Sequence, residues 1–207
     1  VILMVVLAPI VCMAIGFVLQ KIAIKISAYL SRKATGVIKG AQVLNMAVLA
    51  SSISTNNTQK GIGIYLLSCV LLTDSATSVS QAVSQVNIWI MIGFCAVIML
   101  GLLLGGFRLI NTIGNKIFRL NLMQTYVSSL SSTIVSVVTN VTGIPISTGQ
   151  VMSSSIIGVG MASKIKRVRW KRVFNIFGSW IITFPAACGF GAAICALLNA
   201  VIPGGLF

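Results

Sequence analysis

The chain has 207 residues, 57% of them hydrophobic and 8% charged, and a mean hydropathy of +1.05. That much apolar sequence excludes an ordinary soluble domain, and the absence of alternating segments of roughly ten residues excludes a membrane β-barrel. The net charge is +14 and there is no His, so a Ser-His or Cys-His catalytic pair and a His-ligated metal are excluded within this chain.

A spanning helix takes about 20 apolar residues, and several such stretches follow one another. The fold class is therefore all-α: a polytopic membrane protein, 1–207 forming a single transmembrane domain. Residues 1–20 form the first apolar segment. It starts at Val1 with no charged n-region and no signal-peptide layout, which reads as a piece of a longer polypeptide or a trimmed start. Residues 40–72 form the second. At this length it is too long for one straight span, and its centre is polar: Ser51-Ser52-Ile53-Ser54-Thr55-Asn56-Asn57-Thr58-Gln59-Lys60. The spacing predicts two half-helices around an unwound centre near 51–57.

Residues 73–86 are rich in Ser, Thr and Gln, lack Lys and Arg, and read as extracytoplasmic. Segment three is 87–106, with Trp89 as an interfacial anchor. Segment four, 123–141, leads to Thr142-Gly143-Ile144-Pro145-Ile146-Ser147-Thr148-Gly149-Gln150 and then to a short apolar helix over 151–162. These two leave and return on the same side, as a re-entrant hairpin. Segment five is 174–202, with Pro185 as a kink and Pro203-Gly204-Gly205 as its stop.

All basic residues except Lys60 fall into three groups between apolar segments. The groups are Lys21, Lys25, Arg32, Lys33 and Lys39; Arg108, Lys116 and Arg119; and Lys164, Lys166, Arg167, Arg169, Lys171 and Arg172. This is the positive-inside pattern of cytoplasmic loops. It also suits attraction to anionic headgroups and explains the charge without nucleic acid. Cys12, Cys69, Cys95, Cys188 and Cys195 all lie in apolar stretches without metal spacing and read as small buried hydrophobes.

An unwound backbone inside a bilayer survives only where protein or a watery cavity covers it. Paired breaks of this kind point to a transporter binding site. A helix starting after Asn57, and another after Thr148, would aim unpaired N–H groups and the positive dipole end at a bound anion. Asn56, Asn57, Ser147 and Thr148 are equally good N-caps, so capping alone and anion binding both stand. The carbonyl ends near Ser51-Ser52 and Thr139-Asn140 suit a cation. Lys60 suits an anion, a carbonyl or a snorkelling pose. Gln42 and Gln59 each need a partner, in substrate or in a neighbouring helix. Neither polar loop contains a general base, which argues against an enzyme.

These residues resemble the C-terminal half of the inorganic phosphate transporter (PiT) family of sodium- or proton-coupled symporters. The family signature H-G-A-N-D-A-Q-K-x-M-G aligns with Ile53-Ser54-Thr55-Asn56-Asn57-Thr58-Gln59-Lys60-Gly61-Ile62-Gly63, and G-[IL]-P-[IV]-S-T-T-H with Gly143 to Gln150. Between them, Gly101-Leu102-Leu103-Leu104-Gly105-Gly106-Phe107-Arg108 is similar to G-T-L-L-G-G-W-R. The resemblance implies one half of an inverted-repeat transporter of phosphate, completed by a second half or a homo-oligomer in a plasma or inner membrane. It implies Asn56, Gln59, Ser147 and Thr148 as phosphate contacts, and Asn57 and Gln150, joining the carbonyl-end positions Ser51 and Thr139, as the cation site for Na+ or H+.

The departures from the pattern fall on charged and ligating positions. The family Asp is Asn57, the closing His is Gln150, the Thr before it is Gly149, and the helix Glu aligns with Ser129. Asp74 is the one acidic residue in the chain. An amide offers a cation a dipole where a carboxylate offers a full charge. The alternative is therefore a non-transporting or uncoupled structural descendant of the same fold.

Overall fold

The computed structural model describes residues 2–27, 34–72, 87–116 and 120–201. Among them are six α-helices and no strand: α1 (Ile2–Ser27), α2 (Ala34–Leu72), α3 (Ile88–Lys116), α4 (Leu122–Val141), α5 (Thr148–Lys164) and α6 (Trp170–Val201), with a 3-10 turn over Ile165–Arg167. The expected loop 73–86 and the stop at Pro203-Gly204-Gly205 lie outside the described residues. The chain divides into two compact units, Val1–Val168 and Arg169–Phe207.

The break expected near 51–57 does not exist. α2 runs uninterrupted for 39 residues, about 58 Å at 1.5 Å per residue. Polarity alone does not break a helix, and no Gly or Pro stands between Ser51 and Lys60. The hydroxyls bond back to their own helix: Ser51 Oγ donates to the Ala47 carbonyl at 3.0 Å and Thr55 Oγ1 to the Ser51 carbonyl at 2.9 Å. A hydroxyl satisfied in this way needs no unwound backbone. With it goes the expected half-helix N-terminus after Asn57.

The second break is real. α4 ends where Gly143 takes φ +68°, a left-handed conformation that favours glycine. The Thr142 N–H donates to Val138 at 3.0 Å and the Ile144 N–H to Thr139 at 2.9 Å, closing the helix end. Pro145 has no N–H with which to continue a helix. At the other end of α4, the Asn121 N–H donates to Gln124 Oε1 at 2.8 Å, the return bond of a capping box.

Within the first unit, α1 packs along α5 and also touches α4, α2 packs on α4, and α3 packs on α2. The α4–α5 hairpin thus lies sheltered between α1 and α2. At the α1–α5 crossing the backbones nearly touch. A Cβ at Gly158 would lie 2.2 Å from the Met13 carbonyl oxygen, and one at Gly16 would lie 3.0 Å from that of Ser155. The hairpin interior is polar: Ser128, Ser129, Ser131, Ser132, Ser136, Ser154 and Ser155 are buried. Most of these hydroxyls bond helix carbonyls. Ser132 Oγ donates to Ser128 at 3.0 Å, and Ser155 Oγ crosses to the same carbonyl at 2.6 Å. Ser131 and Ser155 also bond each other.

The outside is apolar. Val37, Val43, Trp89, Leu104 and Ile181 are exposed, Leu104 by 87%, while Ser131 is fully buried. This inversion suits lipid, where apolar packing gives helices no driving force and small polar residues let them approach closely. α1, α2 and α6 are long and apolar enough to cross a membrane. Of the cysteines, Cys12 is buried and donates to the Val151 carbonyl at 3.2 Å, but Cys95, Cys188 and Cys195 are exposed on the apolar outer faces. The reading of all of them as buried hydrophobes is corrected for those three; the side chain of Cys69 is outside the described set.

Candidate functional site

α2 turns a polar stripe toward the hairpin: Gln42, Asn45, Ser52, Asn56 and Lys60, spaced by three, seven, four and four residues. Leu49, buried between them, continues the same face. This is the period of one side of an unbroken helix. The upper part of the stripe grips the hairpin tip at successive points. Asn140 Nδ2 donates to the Ser52 carbonyl at 2.7 Å and to Ser52 Oγ at 2.8 Å. Asn56 Nδ2 donates to Asn140 Oδ1 at 3.2 Å and to the Ile144 carbonyl at 3.4 Å. Lys60 Nζ donates to the Ile146 carbonyl and, at 3.5 Å, to Asn57 Oδ1. The two sequence motifs, more than 80 residues apart, therefore form one clasp. Of the roles open to Lys60, it takes the pairing with a carbonyl.

The clasp fixes its own amide orientations. Asn140 gives its Nδ2 to Ser52, so its Oδ1 must accept from Asn56. Rotating the Asn56 amide would bring its oxygen against two acceptors. Asn56 is 2% exposed, and its Oδ1 has no hydrogen-bond partner among the described residues. A buried, unpaired acceptor costs on the order of 1–3 kcal/mol, and the natural remedy is a donor or a cation from a bound species.

At α5, Ser147 is the N-cap with an extended backbone (φ −87°, ψ 114°), and its side chain makes no capping bond. The Val151 N–H returns to the Ser147 carbonyl at 3.1 Å, but the N–H groups of the first helical turn have no intrahelical acceptor. Ser147 is exposed and Thr148 half-buried. The Lys60 ammonium sits on the carbonyl immediately before Ser147, so a full positive charge stands beside the positive end of a helix.

The other expected residues are scattered. Gln59 is exposed. Ser51 Oγ is spent on its own helix, as is Thr139 Oγ1, which donates to Val135 at 2.9 Å and Ser136 at 3.0 Å. Gln150 is buried in the first turn of α5, and Asn57 Oδ1 faces the Lys60 ammonium. Lower on the stripe, Asn45 Nδ2 donates to Ser129 Oγ at 2.7 Å, and Ser129 Oγ donates to Gln42 Oε1 at 3.2 Å. Gln42 thus finds its partner in a neighbouring helix, and the position aligned with the family Glu holds a neutral hydroxyl network.

Sequence reasoning named Ser52 and Asn140 only for their carbonyls and missed Asn45. The signal that finds Ser52 and Asn45 is the helical spacing of the stripe, which is legible only if the segment is taken as one continuous helix.

The phosphate transporter family matches residues 4–191. Two similar proteins are probable low-affinity inorganic phosphate transporters. That of Rhizobium meliloti is 33% identical over 193 residues, covering 88% of this chain and 56% of its own length. That of Bacillus subtilis is 26% identical over 198 residues, covering 95% and 58%. A sodium-dependent phosphate transporter 1-B of Danio rerio is 30% identical over 161 residues, covering 78% of this chain and 24% of its own length. No solved structure gives a significant match. The chain spans a little over half the length of the first two relatives. With the family pattern matching most of its length, the chain belongs to the phosphate transporter family.

Proposed function

We propose that this chain is one half of a membrane carrier for inorganic phosphate, driven by a coupled cation and completed by a second half or a homo-oligomer. The observation that carries the reading is the clasp: it puts a buried, unpartnered Asn56 oxygen, the Lys60 charge and the uncapped start of α5 on one short stretch of hairpin. Ser147, Thr148 and the first N–H groups of α5 supply donors to the phosphate oxygens. Asn56 Oδ1 accepts from a protonated phosphate oxygen, and Gln59 contacts the anion from the exposed side. The hairpin then works as one wall of a site that opens alternately to either side of a plasma or inner membrane, with the basic loops cytoplasmic. No enzymatic step belongs to this reading.

Na+ or H+ coupling is the weaker part of the inherited pattern in this chain. Asn57, Ser51, Thr139 and Gln150 offer only neutral oxygens. The Lys60 ammonium 3.5 Å from Asn57 Oδ1 opposes a cation there, and like charges a few ångströms apart repel by about 1–4 kcal/mol at effective dielectrics of 80 to 20. We place the carboxylate that holds the driving cation in the partner half.

The test is radiolabelled phosphate uptake into liposomes carrying the complete carrier. Ser147→Ala with Thr148→Val is expected to lower uptake at least tenfold, since two donors to a charged ligand contribute about 1.5–3 kcal/mol each. Unchanged uptake sinks the assignment. In the same assay Asn57→Asp is expected to steepen the dependence of uptake on external Na+, because a carboxylate offsets Lys60. A second reading, a structural descendant without transport, draws on the neutral Ser129 network. It predicts no phosphate binding by the unmodified protein or by Asn57→Asp.

A further inference from the structure

We propose that the basic and aromatic start of α6 is a docking surface for anionic lipid headgroups. Arg169, Lys171 and Arg172 are exposed there, together with Trp170 at 40% and Phe174 at 69%. The two rings are 6.4 Å apart and tilted by 41°.

Among the described residues there is no acidic side chain to answer these charges. The chain has one acidic residue, Asp74, which lies outside the described residues. The first turn of α6 contains no acid, so Lys171 and Arg172 stand at the end of the helix where a cation is disfavoured by the dipole. An external anion removes both penalties.

The position chooses its source. Trp170–Leu197 is apolar enough to span a bilayer, and none of its most apolar window is buried in the protein. The bases therefore sit where that span leaves the hydrocarbon, at the depth of the lipid phosphates. Trp170 occupies the interfacial level that suits an indole, and Phe174 lies one turn deeper. A nucleic acid would meet the same charges, but one end of the surface is set into the bilayer.

The experiment uses the purified full chain in nanodiscs of equal parts phosphatidylglycerol and phosphatidylcholine, with native mass spectrometry of the lipids retained. Each base near an anionic surface is worth about a fivefold preference, so the triple variant R169Q/K171Q/R172Q is expected to lose on the order of a hundredfold in phosphatidylglycerol selectivity. R169K/R172K, which keeps the charge, should retain the preference. Raising salt to about 0.5 M, where the screening length shrinks to roughly 4 Å, should weaken it for the unmodified chain, a result independent of how the triple variant folds. The proposal is overturned by a preference insensitive to salt. It is overturned equally by displacement of the lipid with inorganic phosphate, but not with chloride at matched ionic strength, which would make the surface a free-oxyanion site. Tighter binding of a short RNA than of phosphatidylglycerol vesicles would also overturn it.

Discussion

Gly158→Ala is expected to lower the stability of the detergent-solubilised protein by about 3 kcal/mol or more, at the upper end of what overpacking costs. The added methyl would stand 2.2 Å from the Met13 carbonyl oxygen, 3.0 Å from its carbon and 3.1 Å from its Cα. All three are backbone atoms of a helix and cannot rotate aside, so α1 and α5 must separate by on the order of 1 Å to reach ordinary contact. Separation would also stretch the bond from Cys12 on α1 to the Val151 carbonyl on α5. Gly16→Ala, with its nearest atom at 3.0 Å, should cost less. Gly178→Ala, with nothing within 4 Å, should be neutral or gain roughly 0.5–1 kcal/mol from helix propensity. Thermal unfolding followed by circular dichroism ranks the three. Equal midpoints for Gly158→Ala and Gly178→Ala would show that the crossing is not as close as described.

Asn140→Ala should cost about 2–4 kcal/mol and loosen the hold of α2 on the hairpin tip. Three hydrogen bonds pass through this side chain, two to Ser52 and one from Asn56. Inter-helix bonds in membranes average only about 0.6 kcal/mol each, so their loss alone reaches roughly 2 kcal/mol. The remainder comes from Asn56, which is buried and would keep only the 3.4 Å bond to Ile144; stranding a buried amide adds its desolvation cost. Asn56→Ala removes the group that would be stranded. The double variant should therefore be less destabilised than the sum of the singles by about 1 kcal/mol or more. Strict additivity would mean that the two amides do not cooperate.

The continuity of α2 and the scatter of its expected site residues share one cause. Residues 51–60 are polar in an apolar segment, and polarity by itself does not unwind a helix. What ends a helix is backbone chemistry, and that was visible in the sequence at the other motif: Gly143 and Pro145 stop α4, and both act through φ or a missing N–H. In α2 the Ser51 and Thr55 hydroxyls return to i−4 carbonyls, while Asn56 and Lys60 reach across to the hairpin. The partners that make a long polar stripe tolerable lie more than 80 residues away, where no local pattern points to them. Gln59 shows the converse. It stands one position before Lys60 in the same motif, and the turn of about 100° between neighbouring residues carries it off the stripe to the exposed side.

By itself the amino-acid sequence determined the all-α membrane class, the hairpin with its glycine turn, the basic belts and the family. These follow from composition, period and the backbone limits of Gly and Pro, which act over a few residues. The tertiary structure alone decided that α2 is continuous, that Asn140 and Ser52 join Asn56 and Lys60 in one clasp, and that Gly158 is a point of backbone contact. Each of these depends on which groups meet across helices, because a buried polar atom is stable only against the partner that the packed chain brings to it.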